Sequence, residues 1–182
     1  MGKVVRGVMI VALTLIAVSC KTNLDASRSQ GLKREADILL EQEAGITSEW
    51  TKEYAAAFSP QSRARFPANR QELSRKAESM IALLNQSSSM QATAAEKYAA
   101  ASALEPNEKM RQFLSLFSRS FKANVEINDL FKRQIGLVND EEIKDAKTFE
   151  ERVQSISAEM EKKVKERDEL QSKGEEMIGI KR

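Results

Sequence analysis

Residues 73–101 read LSRKAESMIALLNQSSSMQATAAEKYAAA. Leu73, Ala77, Met80, Leu84, Ser87, Gln91, Ala94, Tyr98 and Ala101 fall at alternating steps of four and three. That spacing keeps one stripe of a helix facing the same way for about eight turns. The stripe is narrow and flanked by polar residues, so the helix buries one face and leaves the rest in water. The fold follows from what else in the chain can cover that face.

Three further segments carry similar stripes. The segment near 106–137 has Met110, Phe113, Leu114, Phe117, Phe121, Val125, Leu130, Phe131 and Ile135. The segment near 140–178 has Ile143, Ala146, Val153, Ile156, Met160, Val164 and Leu170. The segment near 25–58 is weaker, with Leu32, Ala36, Leu39, Ile46, Trp50 and Ala57. Punctuation separates them: Ser59-Pro60 through Pro67, Glu105-Pro106, and Gly136 through Asp140.

Asn69 followed by Glu72 reads as a helix N-cap with its capping-box partner. Pro106 suits a first helical position, where its missing N–H is not needed. Gly136 can close a helix in the left-handed conformation. Asn139 with Glu142, or Asp140 alone, can open the last helix, and Gly174 marks its end or fray. At 1.5 Å per residue each segment runs roughly 45–55 Å. Four long helices on short links predict an all-α, antiparallel, up-down-up-down bundle. A pair of hairpins or an extended coiled coil is the structural alternative.

A fold about Leu104-Glu105 sets Ser87, Gln91 and Ala94 against Phe121, Phe117 and Phe113, small against large. The row Phe113, Phe117, Phe121 reads either as core or as a slot for an acyl chain. On the last segment, Glu159–Lys163, Glu161–Lys165 and Glu169–Lys173 have the acid four residues before the base. Such pairs support a helix by a few tenths of a kcal/mol each, about 0.2–0.5.

Composition removes whole classes of chemistry. The chain has 182 residues and no histidine. Ser-His-Asp and Cys-His catalysis, histidine-held zinc and haem, and Glu-x-x-His metal bundles are therefore closed to it. Its few glycines are scattered and form no phosphate loop. No catalytic residue, metal or cofactor is expected. An all-carboxylate metal enzyme is the weakest of the surviving readings.

The first twenty residues have a different character. Lys3 and Arg6 precede the uncharged run Gly7–Ser19, about 13 residues long and short of the roughly 20 that cross a bilayer. Ala17 and Ser19 stand at −3 and −1 relative to Cys20, the single cysteine. This is the layout of a secretory signal peptide. Ala17-x-Ser19 also suits ordinary signal peptidase, which would leave a free thiol in an oxidising compartment.

Ala17-Val18-Ser19-Cys20 resembles the lipobox of bacterial lipoproteins, with Ala17 where Leu is usual. The resemblance implies that Cys20 becomes the mature N-terminus and carries a thioether-linked diacylglycerol. It divides the chain into a signal peptide 1–19, a lipidated tether 20–30 and a bundle 31–182. By analogy with enterobacterial lipoproteins, Lys21 implies the outer membrane, facing the periplasm, where the host has one. Of 29 basic residues the leader holds two, leaving 27 against 27 acidic ones. That balance gives no case for nucleic-acid binding.

An up-down-up-down bundle rising from Cys20 returns its C-terminus to the membrane side, with Lys181 and Arg182 near the headgroups. The link 58–69 and the Gly136–Asp140 turn then lie at the far end. Arg63, Arg65, Phe66 and Arg70 cluster there as a candidate contact with a protein partner, since Arg and aromatic residues are enriched in binding hot spots. The alternative is a polar loop in which Phe58 and Phe66 cap the core. Two functions remain in front. One is a lipid-anchored envelope protein with a non-catalytic binding, spacing or structural role. The other is a lipoprotein that holds an apolar ligand between its helices.

Overall fold

A computed structural model describes the backbone over residues 2–179 and the side chains over residues 23–179. Residues 1–19, which the sequence suggests as a signal peptide, together with Cys20, Lys181 and Arg182, therefore lie outside the residues whose side chains are described. Four long helices carry the fold: α1 (Gly2–Ala57), α3 (Arg70–Leu104), α4 (Glu108–Gly136) and α5 (Ala146–Met177). A short α2 (Pro60–Ala64) lies in the first link, and a 3₁₀ turn, Leu137–Asn139, follows α4. Among the described residues there is no strand.

The helices are antiparallel in sequence order, α1 on α3, α3 on α4 and α4 on α5. Ser29 bonds to the end of α3 at Ala101, whereas Ser79 bonds to Glu53. Asn128 lies beside Ser87, and Ser118 beside Ala95. Lys163 pairs with Glu126, and Gln134 with Ser157. Each pair of partners runs in opposite directions, as an all-α up-down bundle requires.

Every residue of the 73–101 stripe is buried. Its partner on α1 is regular too. Ser29, Ala36, Glu43, Trp50 and Ala57 are buried at intervals of seven residues. Matched seven-residue spacings on two neighbouring helices give coiled-coil-like packing. Helix α1 continues through residues 23–30, and Ser29 is already seated against α3 two residues before position 31.

The core is in two parts. At one end Trp50, Phe58, Phe66, Leu73, Met80, Ile135, Val138, Ile143, Phe149 and Val153 pack together. At the other Ala36, Ala94, Tyr98, Ala101, Phe113 and Leu114 do so. Full burial of a side chain such as Phe149 contributes about 1.5–3 kcal/mol.

Several boundaries differ from the expected ones. Helix α4 starts at Glu108, not Pro106, because Asn107 Oδ1 accepts the N–H of Met110 at 3.1 Å. Pro106 is left in the link. The α3–α4 register also differs, by seven residues. Asn128, not Phe121, faces Ser87, and Tyr98, not Gln91, faces Phe117.

Gly136 is right-handed at φ −62°, so it does not terminate the helix in the left-handed region. The chain runs on into the 3₁₀ turn and buries Val138. The last helix opens at Asp145, whose side chain accepts from Thr148 N at 2.9 Å, and not at Asn139 or Asp140. Gly174 lies inside α5 and does not end it. Asn69 does stand at an N-cap position but makes no cap bond with its side chain. Its amide donates to Ser62 O at 2.8 Å and so fastens the link to α3.

The acidic and basic residues of α5 tie helices to one another as well as bracing α5, where Lys147 pairs with Glu151 and Arg167 with Asp168. Glu159 pairs with Arg133 on α4 at 3.0 Å. Lys163 pairs with Glu126 on α4 at 2.6 Å as well as with Glu166.

Candidate functional site

The end of the bundle that carries the 58–69 link is built around two stacked rings. Phe66 and Phe149 lie face to face with centroids 4.3 Å apart, and Phe58 also stacks on Phe149 at 6.5 Å. Ser59 holds the backbone extended ahead of Pro60, and its Oγ accepts from Ser62 N at 3.3 Å. That cap starts α2 and turns the chain so that Phe66 drops into the core.

Three of the four candidate contact residues are committed to this construction. Phe66 is buried. The Arg70 guanidinium lies 4.6 Å from its ring centroid and also donates to the carbonyl of Ile143. Arg63 Nε stands 3.3 Å from Glu150 Oε2 on α5, an ion-pair separation without hydrogen-bond alignment. Arg65 is exposed, beside the exposed Gln61, Pro67, Gln71 and Glu72. The surface offered at this end is thus Arg65 and its polar neighbours, with the half-buried Arg63 and Arg70 beside them and Phe66 beneath.

The phenylalanine row is also occupied by its neighbours. Phe113 and Phe117 tilt against each other at 4.3 Å, Phe121 stacks on Tyr98 at 5.7 Å, and Phe117 meets Tyr98 edge-on at 5.9 Å. Gly174 of α5 lies under Phe117, where an added Cβ would come within 3.1 Å of the ring. Met160 and Val164, expected in the core, are half-buried. They line a groove along α5 whose other walls are Ser157, Glu161, Lys165 and Asp168.

Between the two apolar clusters lies a polar layer, of which the stripes contain Ser87 and Gln91 but not Glu43 or Asn128. Glu43 is 7% exposed, yet it carries a carboxylate. Its Oε1 accepts from Gln91 Nε2 at 2.9 Å and from the hydroxyls of Ser87 and Thr47. Asn128 of α4 extends the layer by donating to Ser87 Oγ at 3.1 Å. Three donors converging on one oxygen compensate a carboxylate that has been taken out of water. The signal that could have found Glu43 is its place in the seven-residue series between Ala36 and Trp50.

Two tyrosines brace the bundle on either side of this layer. Tyr98 OH donates to Asp37 Oδ1 at 2.5 Å, and Tyr54 OH donates to Gln134 Oε1. Burial pushes the Tyr54 hydroxyl up to about 12, with Arg63 opposing and Glu150 assisting. Burial also pushes Tyr98 upward, reinforced by the hydrogen bond to Asp37 and its charge.

Among the described residues no three acidic or cysteine side chains are grouped to hold a metal ion. Among them, too, no helix is long and apolar enough to cross a membrane. Comparison of the chain with family models, with curated proteins and with solved structures finds no match.

Proposed function

We propose that this chain is a lipid-anchored cell-envelope protein, held by acyl chains on Cys20, whose helical bundle has a non-catalytic binding, spacing or structural role. In a host with an outer membrane, the bundle faces the periplasm from that membrane. The observation that carries the proposal is the order of the first twenty residues: basic start, uncharged run, Ala17 and Ser19, then the single cysteine. Acyl chains contribute about 0.8 kcal/mol per buried CH₂, and two or more make attachment stable.

The shape of the bundle agrees with such a role. Its helices are tied by buried hydrogen bonds from Ser29–Ala101 at one end to Gln134–Val153 towards the other. A body cross-braced over that length transmits position from anchor to free end. A protein partner would meet the free end at Arg65 and the polar residues beside it. No observation favours an apolar ligand between the helices, because the phenylalanine row already packs on Tyr98 and Gly174.

The test is incorporation of labelled palmitate by bacteria expressing the full chain. Wild type takes up label and stays with the membrane through high-salt and carbonate washes; Cys20→Ser takes up none and washes off. Absence of label from wild type with Cys20 intact overturns the proposal.

A further inference from the structure

Among the described residues three large apolar side chains are exposed: Leu24, Ile38 and Met177. Two of them, Leu24 and Met177, belong to one end of the bundle. There residues 24–33 of α1, the link between α3 and α4, and the end of α5 come together. Ser29 Oγ donates to Ala101 O at 2.9 Å and to Glu105 Oε2 at 3.0 Å, fixing α1 to the link. Beside this joint is a cavity of about 720 Å³ whose apolar wall is Met110, Leu114, Met177 and Ile178. Its polar rim holds both signs of charge, Lys33 and Lys109 with Glu105 and Glu176. Cys20 lies only three residues before the first described side chain, on the same strand of chain that enters this end.

We infer that this end face, Leu24 with Met177, Ile178 and Met110, is a lipid-contact surface, so that the bundle stands upright on the membrane to which Cys20 holds it. The inference rests on the lipid-anchor proposal. An apolar patch within a few residues of an anchored cysteine meets the headgroup region at high effective concentration. Apolar side chains of a surface-bound element enter that region by about 5–10 Å. The mixed charge of the rim makes the contact apolar in origin, with no preference for anionic lipid. Ile38 lies fourteen residues beyond Leu24 on α1, about 21 Å up the flank, and stays in water.

The experiment uses the full chain, purified with its acyl groups and reconstituted in phosphatidylcholine vesicles with or without phosphatidylglycerol. Single nitroxide labels are placed at Leu24→Cys, Met177→Cys, Ile38→Cys and Gln61→Cys, all exposed positions. An acylated Cys20 cannot take the label, and the mass of each sample reports both modifications. Collision with a water-soluble nickel chelate falls several-fold at positions 24 and 177, stays high at 38 and 61, and does not depend on phosphatidylglycerol.

An acylated protein in which position 177 is as accessible as 61 overturns the upright contact while leaving the anchor in place. Shielding of 38 together with 24 overturns it in favour of a bundle lying flat. Shielding that requires phosphatidylglycerol overturns its apolar origin. A mass showing Cys20 labelled and unacylated overturns the anchor itself, and the contact with it.

Discussion

Gln91 Nε2 on α3 donates to Glu43 Oε1 on α1 at 2.9 Å in the interior of the bundle, midway between its two apolar clusters. The pair sits at one level only. Sliding α1 along α3 by two turns would leave the carboxylate against Met80 and Leu84, or Ala94 and Tyr98, away from Ser87 and Gln91. The polar layer therefore fixes the register of two helices whose small and apolar residues would tolerate several alignments.

Breaking this layer from one side should cost more than removing it whole. Gln91→Leu leaves the Glu43 carboxylate short of a donor and should lower stability by about 1–3 kcal/mol. Exchanging Glu43, Ser87, Gln91 and Asn128 together for Leu, Ala, Leu and Leu should cost less than the sum of the four single changes. Urea unfolding followed by far-UV circular dichroism checks both, read as a shift in midpoint at unchanged slope. Additive losses would mean that the four side chains act separately.

Arg70 and Arg65 should part company in the same assay. Arg70 covers the Phe66 ring at 4.6 Å and bonds the Ile143 carbonyl, so Arg70→Ala should cost about 1–3 kcal/mol. Arg65 is exposed, and Arg65→Ala should change stability by less than about 0.5 kcal/mol. If a partner docks at this end, Arg65→Ala weakens its capture by the folded protein. Equal stability losses for the two arginines would contradict the division of roles.

At Gly174 two effects oppose. Alanine gains about 0.8–1 kcal/mol over glycine within a helix. Its Cβ, however, would meet Cδ2 and Cε2 of Phe117 at 3.1 Å, so the half-buried ring must move. Gly174→Ala should therefore gain less than the intrinsic amount in wild type. In a Phe117→Ala background the full gain should appear, giving a coupling of about 0.5–2 kcal/mol in a double-mutant cycle. A coupling of zero would mean that α4 and α5 adjust without strain at this contact.

The helices and their faces were legible in the sequence, and the joints between them much less so. The 73–101 stripe specified which side of α3 is buried because a helix repeats itself regardless of its surroundings. Phe66 and Val138 show what that periodicity misses: each lies in a link, and each is buried by a partner distant in sequence. Burying Val138 draws the chain past Gly136 and delays the last helix until Asp145 can cap it. Asn107 likewise outcompetes Pro106 as the start of α4, and the aromatic row packs on Tyr98, seven residues along α3 from the expected Gln91. Glu43 escaped notice because glutamate usually marks a solvated face; its seven-residue spacing from Ala36 and Trp50 carried more information than its residue type.

Alkaline pH should unfold the protein through its tyrosines. The chain has two, Tyr54 and Tyr98, and both are held above the ordinary value of 10.0 by burial. A raised value in the fold means that the folded chain keeps protons which the unfolded chain releases. Their stabilising effect is therefore whole below pH 10.0 and declines as pH rises from 10.0 towards the Tyr54 value of about 12. Near-ultraviolet titration should show little tyrosinate in the folded protein around pH 10.0, then ionisation together with loss of helix. Tyr98→Phe removes one of the two linked groups and its bond to Asp37, so its stability should fall less steeply over the same pH interval. Ionisation of both tyrosines near pH 10.0 with helix intact would show that neither hydroxyl is held inside the bundle.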